Sequence, residues 1–295
     1  MSAASGETLD PVRRSRLPWA VVARHSPLLA VGVVLGLVIV VMGLLAPWIT
    51  PHPQDAGFAT HPADILLGPS RSHLLGTDSV GRDVLTRVVY GARVSFSITA
   101  FVLVVSAVVG LAVGLTAGFV GGVVDSILMR ITDVFLAFPA LLLAVALTSV
   151  LSPSALHAAM AIAATWWPWY ARLSRAQAAS IRHQGYSDAA RVIGASRTRQ
   201  VLRHVLPNAA TAVFVQMSLD AAGIILTAAT LSYLGLGAQD PTPEWGLMVS
   251  QGQSLATTAW WVVTFPGLAI VLTAVACNFI GDGLQTALDP KRGRR

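Results

Sequence analysis

Five long apolar stretches, separated by short charged segments, set the plan of this chain. Residues 26–51 carry no charged side chain. Because about 20 apolar residues cross a bilayer as a helix, they predict one span over 26–50. The stretch is too long for a signal-peptide core and lacks a cleavage site. Residues 94–124 predict a second span. Residues 134–171 exceed one helix, and Ser152-Pro153-Ser154 divides them into a third and a fourth, since proline cannot supply the amide a helix interior needs. Residues 205–239, interrupted only by Asp220, predict a fifth, and 245–281 hold the sixth with part of the loop before it. The expected architecture is an all-α integral membrane protein of six helices. It comprises an N-terminal segment 1–25, a first helix 26–50, an outer loop 51–92, a core of five helices over 93–285 and a basic tail 286–295.

Composition agrees, since 54% hydrophobic and 12% charged residues over 295 positions leave too little polar surface for a soluble domain of this length. The net charge of +6 does not point to nucleic acid, because Lys and Arg cluster in short segments beside the apolar runs. Arg13, Arg14, Arg16 and Arg24 precede the first span, seven arginines lie between residues 172 and 203, and Lys291, Arg292, Arg294 and Arg295 end the chain. Six spans put all three clusters on one side, and the positive-inside rule makes that side, with both termini, cytoplasmic. Cys277 stands alone in an apolar run and offers no disulfide or metal site.

Within the spans two features carry more than hydropathy. Ser106, Gly110, Gly114 and Gly118 recur every fourth residue, a stripe that lets another helix approach closely. Asp220 lies well inside the fifth span, with Gln216 and Thr227 about one and two turns away on the same face. An intramembrane carboxylate is costly unless it meets water or a partner, so these three residues are candidates for a translocation path, with a structural interhelical hydrogen bond as the alternative.

The basic segment 172–206 is longer than a connection needs. Ser187 is a plausible N-cap and Asp188 sits in the first turn of a predicted helix, where a carboxylate meets the positive end of the macrodipole. Gly194 breaks that helix. A second, from about Ser196, places Val201 with Val205 and Leu202 with Leu206 on an apolar face opposite Arg199 and Arg203, and Pro207 begins the next span. The pattern fits a docking surface, the alternative being an apolar face on lipid headgroups.

These residues resemble the EAA loop of ABC-importer permeases, with Asp188-Ala189-Ala190 for Glu-Ala-Ala, then Gly194, then Leu206-Pro207. The wider sequence is similar to the C-type subunit of the dipeptide/oligopeptide/nickel permease family. The matching segments are His73 to Asp83 (HLLGTDSVGRD) with Tyr90 to Arg93, and Met129-Arg130 and Asp133 with Phe138-Pro139. Leu231 to Gly237 (LSYLGLG) with Pro241 to Gly246, and Gly281 to Leu284 with Leu288 to Pro290, complete the set. The family often carries an acid just before the LSYLG-like segment, where this chain has Ala228 and Ala229.

The resemblance implies a type I importer permease in the bacterial cytoplasmic membrane. Asp188, Ala189, Ala190, Arg191, Gly194, Ala195, Ser196, Leu206 and Pro207 would dock into an ATPase subunit. Partners would be a homologous B-type permease, two ATP-binding subunits or one fused ATPase, an extracytoplasmic binding protein and lipid. The sequence has no Gly-rich Lys-Ser/Thr phosphate loop, so ATP and Mg would be held by the partner ATPase and this chain would hydrolyse nothing. Peptides are the expected cargo, with nickel or another small solute as the alternative. A secondary transporter driven by an ion gradient is the alternative of another class. In the outer loop, His52, His61 and His73 with Asp55, Asp64 and Asp78 are spaced unlike a compact ligand motif, so no metal site is expected. Asp78 and Arg82 are expected to cap the second span, and Trp245, Trp260 and Trp261 to anchor at the membrane interface.

Overall fold

The computed structural model describes residues 27–182, 199 and 201–288. Its described residues form eight α-helices: α1 (Pro27–Ile49), α2 (Val84–Val120), α3 (Gly122–Leu136), α4 (Ala140–Val150), α5 (Ala155–Arg182), α6 (Leu206–Tyr233), α7 (Trp245–Gly252) and α8 (Trp261–Leu288). A π-helical turn, Val201–Val205, leads into α6. Four helices, α1, α2, α6 and α8, are long and apolar enough to cross a membrane, and α3 with α4, bent by 85°, make a fifth if counted as one span.

Three boundaries differ from the sequence reading. The helix expected from residue 94 begins at Val84. At 37 residues it is about 55 Å long, well beyond a hydrocarbon core of about 30 Å, so charge gaps locate the apolar part of the helix but not its polar first turns. The third span, expected from 134, is instead divided at Ala137–Pro139 between α3 and α4, because Phe138 precedes a proline and is held out of the helical region. The segment 172–206 does not begin as a loop. Residues 172–182 continue α5 as helix.

Side-chain contacts fix the directions of the helices. A Cβ on Gly110 would sit 2.4 Å from Tyr170 Cβ, one on Gly114 2.3 Å from the Ala171 carbonyl, and one on Gly118 2.5 Å from the Arg175 carbonyl. The partner numbers rise with the glycine numbers, so α2 and α5 run parallel, and the small-residue stripe is filled by α5 of the same chain. Only glycine allows so close an approach, and Ser174 Oγ donates to the Gly110 carbonyl (3.0 Å) while Ser106 Oγ donates to that of Ala163 (3.2 Å). The core runs the length of the bundle. Val102, Ile162, Ile224 and Leu231 bury together towards one end, and Leu115, Ala178, Val205 and Ala209 towards the other, which makes α6 antiparallel to α2.

The first and last spans pack on each other. Gly32 of α1 lies against Ala276 and Phe279 of α8, and Gly283 against Leu29. As a result α1 begins, α5 ends and α8 ends at one pole. The segments 50–83 and 234–260 meet at the opposite pole, where Arg82 bonds Asp240 and Trp261 Nε1 donates to the Thr77 carbonyl (3.0 Å). Most of α1 and one side of α3 are exposed and apolar, the surface expected of helices that face lipid or another membrane chain.

Candidate functional site

At the pole formed by 50–83 and 234–260, buried charges hold two segments onto the start of α2. Asp83 is the N-cap of α2: its Oδ2 accepts from Thr86 N (2.8 Å), Oδ1 pairs with His73 Nδ1 (3.1 Å), and its own amide donates to Asp55 Oδ2 (2.8 Å). Asp78, expected to be the cap, instead accepts from the amides of Val80 and Arg82 and from Arg82 Nε (2.7 Å) in the turn before the helix. Arg82 Nη1 then reaches Asp240 Oδ1 (3.0 Å), across more than 150 residues of sequence. Arg87, one turn into α2, donates to the carbonyls of Asp55 and Pro241 (both 3.4 Å).

Glu244 caps α7, its Oε2 accepting from Leu247 N (2.9 Å). Burial pushes its carboxyl up from the usual range, against the hydrogen bonds it receives. The structure also corrects the reading of Trp245, which is no interface anchor but a buried side chain whose Nε1 donates to the Val88 carbonyl (2.9 Å).

Folding brings His52, His73 and Asp83 together, with their ligand atoms within 4.8 Å of one another. Spacing along the sequence hid this grouping. Its members are engaged in the cap: His73 on Asp83, Asp83 on Thr86, and His52 Nε2 on the Ser72 carbonyl (3.3 Å).

Between the poles, Asp220 borders a cavity of about 620 Å³ lined by Trp166, Trp169, Arg172, Leu173 and Gln216. Gln216 Nε2 donates to Asp220 Oδ1 (3.0 Å), the i,i+4 contact of facing residues on one helix. Asp220 Oδ2 is enclosed without a hydrogen-bond partner, and so is the hydroxyl of Tyr170, a fully buried residue of α5. The two groups face each other, the phenol as the donor nearest the carboxylate, outside strict hydrogen-bond geometry. Thr227 is not among the cavity-lining residues, and its hydroxyl donates to the Gly223 carbonyl of its own helix (2.8 Å). Sequence reading missed Tyr170, Arg172, Trp166 and Trp169. The available signal was an aromatic run, Trp166-Trp167-Pro168-Trp169-Tyr170, inside a span.

At the opposite pole, Arg175 of α5 grips Asp125 of α3 through two bonds (2.5 and 2.6 Å), and Arg172 donates to Asp133 (2.6 Å). These pairs tie α3 to the end of α5, at the start of the segment 172–206 expected to dock. In that loop Asp188, Ala189, Ala190, Arg191, Gly194, Ala195 and Ser196 lie outside the described residues. Leu206 and Pro207 open α6, where Leu206 packs beside Val205, Ala209, Leu115 and Ala178.

Comparison with known proteins matches this arrangement to one group. Residues 110–294 match the family of binding-protein-dependent transport system inner membrane components. The dipeptide transport system permease protein DppC of Escherichia coli K12 is 49% identical over 271 residues, covering 88% of this chain and 89% of that protein. The probable D,D-dipeptide transport system permease protein DdpC of the same strain is 41% identical over 279 residues, covering 95% and 92%. The di/tripeptide transport system permease protein DppC of Pseudomonas aeruginosa UCBPP-PA14 is 41% identical over 263 residues, covering 88% and 87%. With more than half its length matched by the family and such relatives covered almost end to end, the chain belongs to the binding-protein-dependent transport system inner membrane components.

Proposed function

We propose that this chain is a permease subunit of an ATP-driven importer that carries di- or oligopeptides from a binding protein across the cytoplasmic membrane. The observation that carries the reading is the 49% identity to a dipeptide permease over 88% of this chain, joined to a helical bundle with a cavity bordered by Gln216 and Asp220. In this reading the chain crosses six times, by α1, α2, the bent pair α3 and α4, α5, α6 and α8. Support comes from the parallel packing of α2 and α5, since the segment between them must travel back across the bundle. Termini and basic segments then share the cytoplasmic side, as the positive-inside rule requires.

ATP chemistry belongs to partner subunits, and the segment around Asp188, Ala189, Ala190 and Gly194 docks on them. Closure of the ATPase pair moves that segment. The ion pairs of Arg172 and Arg175 pass its motion to α3, exchanging inward-open for outward-open states against a second permease. Gln216 and Asp220 border the path, with Thr227 further along the same helix. Gly194→Val or Asp188→Lys is expected to abolish peptide uptake by the reconstituted complex while leaving its assembly intact. Wild-type uptake in both variants removes the coupling role, and transport by the isolated chain driven by an ion gradient removes the importer reading altogether.

A further inference from the structure

Arg93 stands at a boundary in α2. It is the last charged residue before the uncharged run 94–124, so the helix carries its guanidinium to the level where headgroups meet hydrocarbon, on the side of segments 50–83 and 234–260. Arg82, Arg87, Arg172 and Arg175 each pair with a carboxylate. Arg93 is exposed, and its guanidinium makes no ion pair or hydrogen bond among the described residues; the centroid of the Tyr90 ring lies 6.0 Å from it.

From Arg93 a groove of about 390 Å³ runs inward between α2 and the start of α5. Val94, Ile98 and Phe101 form one wall, and Ala155, Leu156 and Ala159 the other. The gap exists because the small residues that draw the two helices together begin only at Ser106. Between Arg93 and Phe101 the helix rises about 12 Å, within the roughly 15 Å of one leaflet's hydrocarbon. Exposed Val104 and Val108 continue the apolar lane deeper along α2.

We propose that this groove seats one acyl chain of an anionic glycerophospholipid, with the lipid's phosphodiester on Arg93. A guanidinium fork matches two phosphate oxygens through paired N–H···O bonds. A net negative headgroup fits better than a zwitterionic one, because no acidic side chain lines the groove to receive a headgroup ammonium. Lipid tails are as apolar as leucine, so the groove fixes where the lipid lies while the charge of Arg93 selects which lipid stays. A helix of another chain laid here would bury the guanidinium, which is costly unless that helix brings a carboxylate, whereas a lipid headgroup leaves it in contact with water. The proposal needs only the chain's place in the bilayer and is independent of its cargo.

The full chain in detergent is titrated with phosphatidylglycerol and with phosphatidylcholine of the same acyl chains, and bound lipids are counted by native mass spectrometry. Arg93→Gln is expected to weaken the binding of one phosphatidylglycerol about tenfold, or about 1.4 kcal/mol, and to leave phosphatidylcholine binding unchanged. Arg93→Lys keeps most of the preference. Ala155→Phe, which fills the groove, displaces the same lipid with the arginine intact. The lipid-free thermal midpoint stays at the wild-type value in Arg93→Gln. Phosphatidylglycerol binding unchanged by Arg93→Gln, or weakened no more than that of phosphatidylcholine, overturns the site. Binding unchanged by Ala155→Phe overturns it as well, since the headgroup would then be held without the groove. A lowered lipid-free midpoint in Arg93→Gln assigns the arginine to helix packing instead. Loss of the Arg93-dependent lipid when the chain is purified with its partner subunits overturns the proposal in favour of a second chain on the groove.

Discussion

The cap at the start of α2 and the cavity beside Asp220 both bury carboxylates, and they treat them in opposite ways. In the cap, both oxygens of Asp78 and of Asp83 accept hydrogen bonds, and Asp55 binds His61 through one oxygen and the Asp83 amide through the other. The weak points there are Thr86 Oγ1, which is buried without a hydrogen-bond partner, and Arg87 Nη2, which is unbonded and 3.9 Å from Asp240. Beside the cavity, Asp220 Oδ2 and the hydroxyl of the fully buried Tyr170 face each other outside strict hydrogen-bond geometry. Satisfied networks rigidify a fold, while a half-satisfied one is costly unless something else completes it. The cap therefore has the chemistry of a platform, and the cavity that of a site.

Three substitutions test that contrast. Asp83→Ala removes an N-cap and strands His73, so it is expected to destabilise the complex by about 3 kcal/mol, read as a lowered thermal midpoint of the purified assembly. A change as small as that of a surface substitution would mean that the cap is not a structural platform.

Next in size is a pH effect at Glu244. Its folded pKa is raised by burial above the ordinary 4.5 or so, so its contribution to stability is full below that value and is lost as pH rises through the folded pKa. Glu244→Gln should keep the fold and flatten the decline of the thermal midpoint above about pH 4.5. An unchanged slope would remove the buried charge as its source.

The smallest effect is predicted for Tyr170→Phe. Because the hydroxyl meets Asp220 only outside strict hydrogen-bond geometry, its loss should change stability by no more than about 0.5 kcal/mol. A large loss of stability would show that the hydroxyl has a structural partner after all, and would erase the contrast with the cap.

How far the sequence was legible follows from the range of each interaction. The first described helix ends at Ile49, one residue from the expected end of the first span, because an uncharged run that closes at Pro51 is a local signal. The start of α2 was missed by ten residues, since Arg87 in its first turns is paired with groups 32 and 154 positions away. The outer histidines looked dispersed at spacings of nine and twelve, yet two of them meet Asp83 in space. Asp220 and Gln216 were found together because i,i+4 spacing on one helix is readable from sequence. Tyr170 was not, because the contact that brings it to Asp220 is made between α5 and α6.

By itself the sequence determined that this chain lies in a bilayer, where its apolar stretches fall and to which permeases it is related, because apolar length and short-range spacing act locally and survive in one dimension. The tertiary structure decided which charges neutralise one another and which are left open. Pairing of buried polar groups depends on helices crossing at close range, here through glycines that let α2 and α5 nearly touch, and no local pattern encodes the partner across that gap.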